Sequence, residues 1–167
     1  MNMRFSAVIA VVVLATAAAC SGPARHDAVA PSAAGSSPAS GLPGGTLIFG
    51  TSQGDVTMSI EIAETVQARE RGLMGRTSLQ PDAGMAFLFP EPYSGGFWMK
   101  DTLIPLSIAF WNGQGKIQDI LEMTPCKADP CTIYVPKGGG STGAVEASPG
   151  YFSEHGISIG DTVTLQR

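Results

Sequence analysis

From Asp55 to Ile62 the chain alternates in character. Val56, Met58, Ile60 and Ile62 point one way, and Asp55, Thr57, Ser59 and Glu61 the other. Successive side chains leave a strand on opposite faces, so a period of two marks a strand with one buried face. Such a strand needs partner strands and a covering layer. The domain is therefore built around a sheet. Leu47 to Phe49 reads as a partner, reached through a turn at Gln53-Gly54. Met85 to Phe89, Phe97 to Thr102, Leu106 to Trp111, Lys116 to Met123, Ala144 to Ala147 and Asp161 to Gln166 read as further strands. Asn112-Gly113 is a hairpin pair, because both residues tolerate the positive φ of the tight turn. Trp111 falls on the face opposite Leu106, Ile108 and Phe110, which predicts partial exposure.

Helical signals are few. Thr65 reads as the cap of a short helix running to about Leu73, with Val66, Arg69 and Leu73 near one face. Ser148-Pro149 reads as a second start, serine as cap and proline in the first turn. Gly156 ends that helix, and His155 sits in its last turn, where the dipole favours a cation. Pro81-Asp82-Ala83-Gly84 is a turn. The sum is an α+β, β-rich domain: a compact, mainly antiparallel sheet or barrel-like arrangement with two short helices.

The first residues follow a different logic. Arg4 precedes an apolar run from Phe5 to Leu14, then Ala17, Ala18, Ala19 and Cys20. A charge, a short greasy core and small residues before a cut describe an export signal, residues 1–19. The run falls short of the roughly 20 apolar residues that span a bilayer. The stretch resembles a bacterial lipoprotein signal, in which the cysteine after the cut takes the lipid. Such signals usually carry a large aliphatic residue three positions before the cysteine. Here that position is Ala17, with Leu14 further upstream. Lipidation of Cys20 would place the protein outside the cytoplasm, anchored to the membrane; simple secretion to a periplasmic or external space is the alternative. Residues 20–45 are mostly Ala, Ser, Pro and Gly, a tether too poor in apolar surface to offset its ordering entropy. Residues 46–167 remain as a single globular domain.

Composition removes some functions. The net charge is −4 and no basic cluster stands out, which argues against a nucleic-acid partner. Cys126 and Cys131 flank Lys127-Ala128-Asp129-Pro130 and read as a disulfide in an oxidising compartment. A structural zinc site wants four Cys or His ligands. The histidines are His26, in the tether, and His155, so neither a metal nor another cofactor is expected. A Ser-His-Asp arrangement could draw only on His155. Lys137-Gly138-Gly139-Gly140-Ser141-Thr142 has its lysine before the glycines, the reverse of a phosphate loop, and reads as a surface loop.

Four segments read together: Arg71-Gly72-Leu73-Met74-Gly75-Arg76, Gly84-Met85-Ala86-Phe87-Leu88-Phe89, Phe97-Trp98-Met99-Lys100-Asp101-Thr102, and Ile104-Pro105-Leu106-Ser107-Ile108-Ala109-Phe110. With the closing Gly156-Ile157-Ser158-Ile159-Gly160-Asp161, the chain from about Thr46 to Arg167 resembles the family called domain of unknown function 192. The resemblance implies a compact, mainly β domain, often exported, without a settled activity. Ser107 stands where members commonly have an acid, and the stretch from Cys126 to Gly143 looks embellished.

The remaining candidates for a ligand site are Arg71, Arg76, Trp98, Lys100, Asp101 and Glu146. Cations beside carboxylates orient an anionic or hydroxylated ligand, with Trp98 as an apolar wall. The same charges can instead pair with one another and pin the short helix to the sheet. Strand alternation puts Trp98 and Lys100 on one face, with Phe97, Met99 and Asp101 on the other. Three functions follow: a non-catalytic module binding a small ligand or an envelope protein, a hydrolase using Asp101 or Glu146 as acid or base, or a purely structural envelope protein. Without catalytic templates, the first is favoured over catalysis.

Overall fold

A computed structural model describes residues 40–167. Cys20, the export signal and most of the tether lie outside those residues. The order is β1 (Gly44–Thr51), β2 (Gly54–Ala63), α1 (Val66–Arg71), β3 (Ala83–Tyr93), β4 (Phe97–Trp98), β5 (Leu106–Trp111), β6 (Ile117–Met123), β7 (Ile133–Tyr134), β8 (Ser141–Ala147), α2 (Tyr151–Glu154) and β9 (Thr162–Gln166). Seven strands form one sheet in the order β6-β5-β8-β3-β2-β1-β9, and β4 pairs with β7 in a separate ribbon. Neighbours in the large sheet are antiparallel except β2 and β3, which the α1 connection makes parallel. The sheet curls but stays open: its edges meet at one bridge, Lys116 with Thr162.

The expected β-rich α+β class is what the chain adopts, as an open sheet rather than a barrel. Alternation divides the core into two clusters, one on each face. On the inner face Leu47, Phe49, Met58, Ile60, Ile62, Ala109, Trp111, Val145 and Val163 close around Tyr151, Phe152 and Ile157, which follow β8. On the outer face Met85, Phe87, Leu106, Ile108, Phe110 and Met123 are covered by Leu73 and Met99. Strand β5 is buried along its whole length because both faces are covered. Hence Trp111 is 7% exposed, contrary to the one-sided reading. Its indole lies against Gly143, opposite it in β8; a Cβ there would stand 2.1 Å from the ring.

Local rules hold at α1 and fail at α2. The Thr65 hydroxyl accepts from the Ala68 N–H over 3.1 Å, as a capping side chain should. Residue 72 then ends the helix with φ +46°. At α2 the cap is Gly150, in the left-handed region with no side-chain bond, and not Ser148. The Ser148 carbonyl instead accepts from the Tyr151 N–H in a turn. The strand expected from Phe97 to Thr102 stops at Trp98, since the Thr102 N–H turns back to the Met99 carbonyl and Asp101 adopts φ +54°.

The free edge of β6 is masked by the loop before β8. The Lys137 N–H donates to Asp119 and the Gln118 amide donates to the Gly138 carbonyl. Masking of this kind keeps an exposed ladder from pairing with another chain.

Candidate functional site

A cleft of about 540 Å³ opens on the outer face between α1 and the β4–β7 ribbon. Phe87, Phe89, Tyr93 and Phe97 form its aromatic wall, and Val66, Trp98 and Ile133 its lip. The aromatic rings hold one another: Phe89 stacks on Tyr93 with centroids 4.5 Å apart, and Phe97 meets Phe87 edge-on at 5.0 Å. Edge-on and offset contacts suit the ring quadrupoles, so this wall is set without a ligand. The lip is exposed: Val66 55%, Ile133 54% and Trp98 48%. Large apolar groups clustered around a concavity are the usual mark of a binding surface.

Two cations flank the cleft differently. The Arg69 guanidinium donates to the carbonyls of Glu64 and Leu88 and lies 5.5 Å from the centroid of Phe89. It ties α1 to the middle of β3. Lys100 Nζ sits 5.8 Å from the Trp98 ring centroid. The two residues meet through a turn, and not along the continuous strand expected from the sequence.

The sequence candidates do not form one constellation. Trp98 lines the cleft and Lys100 lies beside its ring without lining the cleft, whereas Arg76 makes two bonds of 2.7 and 2.6 Å to the Glu61 carboxylate. Ser40 also bonds to that carboxylate. Arg71 is exposed near the end of α1. Asp101 is exposed, and its carbonyl accepts from the Gly75 N–H. Glu146 is 5% exposed on β8, between Met85 and Ile108, and lines no part of the cleft. Burial pushes its carboxyl up to about 8, because an ion is disfavoured where water is excluded. Sequence reasoning missed Arg69, Phe89, Tyr93 and Ile133. For Ile133 there was a signal: Thr132-Ile133-Tyr134-Val135 is a β-prone run.

Ser107, where the family resemblance implied an acid, is fully buried and donates to the Glu122 carboxylate across the strand pair, at 2.6 and 2.7 Å. Its oxygen also accepts from the Gly150 N–H at 2.8 Å. The neighbouring strand thus returns an acid to this spot, and the hydroxyl relays it to the turn leading into α2.

Cys126 and Cys131 form the expected disulfide. With Asp129 they gather three potential ligand atoms within 4.8 Å. Bridged sulfurs offer no thiolate, so that grouping is no metal site in this form. His155 is held by Asp82 at 3.2 Å and stacks on Tyr151, with centroids 4.1 Å apart. Among the described residues the buried Tyr151 hydroxyl has no hydrogen-bond partner. Burial first, and the charge of nearby Asp82 second, push this phenol up to about 12.

Comparison with known proteins agrees with this fold. Similar crystal structures include the following two. One is a protein of unknown function from Novosphingobium aromaticivorans DSM 12444, 31% identical, with TM-score 0.70, covering 77% of this chain and 89% of that one. The other is a candidate transcription regulator from Sinorhizobium meliloti 1021, 27% identical, with TM-score 0.67, covering 74% of this chain and 95% of that one. No curated protein matches. The family model described as DUF192, Uncharacterized ACR, matches residues 48–165. Those residues take in the whole cleft and nearly all of the sheet, and the chain belongs to the DUF192 family.

Proposed function

We propose that this domain is a non-catalytic binding or accessory module of the cell envelope, exported and anchored through lipid on Cys20, and that its ligand lies in the aromatic cleft. One observation carries the reading. Trp98, Val66 and Ile133 stay about half exposed around a concavity whose aromatic wall is already packed. Leaving that much apolar surface wet costs about 25 cal/mol per Å², a cost that an apolar or aromatic ligand would remove. Lys100 beside Trp98 adds a cation for a ligand with an anionic or hydroxylated end. No helix among the described residues is long and apolar enough to cross a membrane; the attachment proposed at Cys20 rests on the pattern of residues 1–20.

A hydrolase using Asp101 or Glu146 has less support. Asp101 is exposed, Glu146 is buried, and neither lines the cleft. A purely structural role predicts a cleft that binds nothing.

The test uses anilinonaphthalene sulfonate, an aromatic anion, as a fluorescent probe. Trp98→Ala should weaken its binding about tenfold, worth about 1.4 kcal/mol, and shift Tm by only a few degrees. An unfolded variant would assign Trp98 to the scaffold, and unchanged binding would remove the cleft from the proposal. Mass spectrometry of the membrane fraction should find acylated Cys20 as the first residue; an unmodified soluble species would refute the anchor.

A further inference from the structure

The Cys126–Cys131 bridge stands at a junction. The Cys126 N–H donates to the Met99 carbonyl at 3.2 Å, and Met99, 1% exposed, directly follows Trp98. Cys131 lies two residues before Ile133 on the cleft lip. The bridge thus covalently ties the start of β7 to the segment leaving β6, which is itself hydrogen-bonded to the residue after β4. Besides it, the ribbon has two register pairs, Phe97 with Tyr134 and Trp98 with Ile133. The Tyr134 hydroxyl adds two contacts with Thr124, accepting from its N–H at 3.0 Å and meeting its hydroxyl at 3.4 Å. A ribbon so short is marginal in water, and the exposed Ile133 and Val135 lend it little burial. Contact with Ile133 is close: a Cβ at residue 96 would meet its Cγ2 at 2.3 Å.

The bridge is also open to approach. Lys127 to Pro130 are exposed, and a cavity of about 400 Å³ lies alongside, lined by Cys126, Lys127, Pro130, Thr132 and Tyr134. Cys126 lines it; Cys131 does not. Lys127 at the same cavity attracts an incoming thiolate. Asp129 Oδ1 lies 3.8 Å from Cys131 Sγ, and its charge repels a thiolate approaching that sulfur, which leaves Cys126 as the point of attack.

We propose that the Cys126–Cys131 bridge is a reversible modification site, exchanged by a dithiol protein through this cavity, and that its state sets the β4–β7 wall of the cleft. A thiolate of that protein attacks Cys126 Sγ, forming a mixed disulfide and breaking the bond to Cys131. Cys131 leaves as a thiolate and takes a proton from water. The dithiol protein's second thiolate then displaces Cys126, which is protonated in turn. Two electrons pass to this chain, which ends with two thiols, and the partner ends as a disulfide. Reduction loosens β7 and opens the lip at Trp98 and Ile133. This last step rests on the cleft reading proposed above.

Hydrogen exchange tests the coupling without a ligand. The amides of Phe97, Trp98, Ile133 and Tyr134 should exchange at least about tenfold faster after dithiothreitol treatment, and in a Cys126→Ser/Cys131→Ser variant, with β1 and β8 unchanged. Equal exchange in both redox forms would overturn the proposal. So would unfolding of the reduced protein, since the bridge would then be holding the core. Glutathione should be trapped on Cys126; trapping on Cys131 would overturn the exchange route. Probe binding to the oxidised protein is measured separately: its absence removes the cleft reading and leaves the exchange result intact. A loosened ribbon with unaltered probe binding would overturn the coupling to the cleft.

Discussion

On the inner face of the sheet, Phe49, Trp111, Val145 and Phe152 meet in a closed cluster. On the outer face, the same central strands carry Met85, Phe87, Ile108 and Phe110, but the covering layer is thin and ends at an exposed lip. The inner face is covered by chain next in sequence, α2 and Ile157 following β8. The outer face depends on α1, a turn around Met99 and a two-pair ribbon whose second strand follows a disulfide-closed loop. The difference teaches where each property resides. The closed cluster lies inside, and the outside holds the unusual groups: a buried carboxyl, a half-exposed tryptophan and a disulfide.

The strongest way to break this contrast is Phe152→Ala. A 1% exposed ring removed from the closed cluster should cost about 3–5 kcal/mol, read as a lower urea midpoint with unchanged m. A smaller loss than that of any cleft substitution would reverse the assignment.

Next comes Glu146→Gln, read against pH. The folded carboxyl titrates at about 8 and the unfolded one at 4.5. Between those values the folded state keeps a proton that the unfolded state has lost. The group's contribution is therefore retained below pH 4.5 and declines as pH rises, by roughly 1.4 kcal/mol per unit, levelling off above about 8. The glutamine variant should lack that slope in urea titrations across the same range. An unchanged slope would show that other groups set it.

Ser107→Ala should cost about 1–2 kcal/mol, because the Gly150 N–H loses its acceptor while the exposed Glu122 simply rehydrates. Thermal melting checks it, and a neutral result would mean that the relay contributes nothing. Tyr151→Phe has the smallest expected effect, neutral to about 1 kcal/mol stabilising, since the buried hydroxyl has no partner among the described residues. A clear loss in the same melting assay would reveal a bond to that oxygen.

Much of this architecture could be read in advance because alternation is local. Val56 to Ile62 announces β2, Asn112-Gly113 announces the turn from β5 to β6, and Thr65 announces α1. The disulfide was legible because only two cysteines lie in the domain, five residues apart. Trp111 was misjudged because one strand's pattern cannot say whether its second face is covered. The second helix was misjudged because Ser148-Pro149 satisfies a local rule that a left-handed Gly150 overrides. The site was the least legible part. Arg76 and Glu61 are fifteen residues apart and pair only after β2 and the α1 loop are placed. The cleft is assembled from α1, β3, β4 and β7, and β7 escaped notice because two residues are too few to show a period.

Thr46 of β1 lies opposite Gln166 of β9, so the start of the first strand and the end of the last emerge side by side. Antiparallel hydrogen bonds run across the strands, and a load applied at these two points would fall on them one after another. The domain should therefore unzip from that corner under low force instead of shearing as a block. A molecule tethered at one end and tugged at the other would surrender β9 first, while the wall beside the disulfide stayed in place.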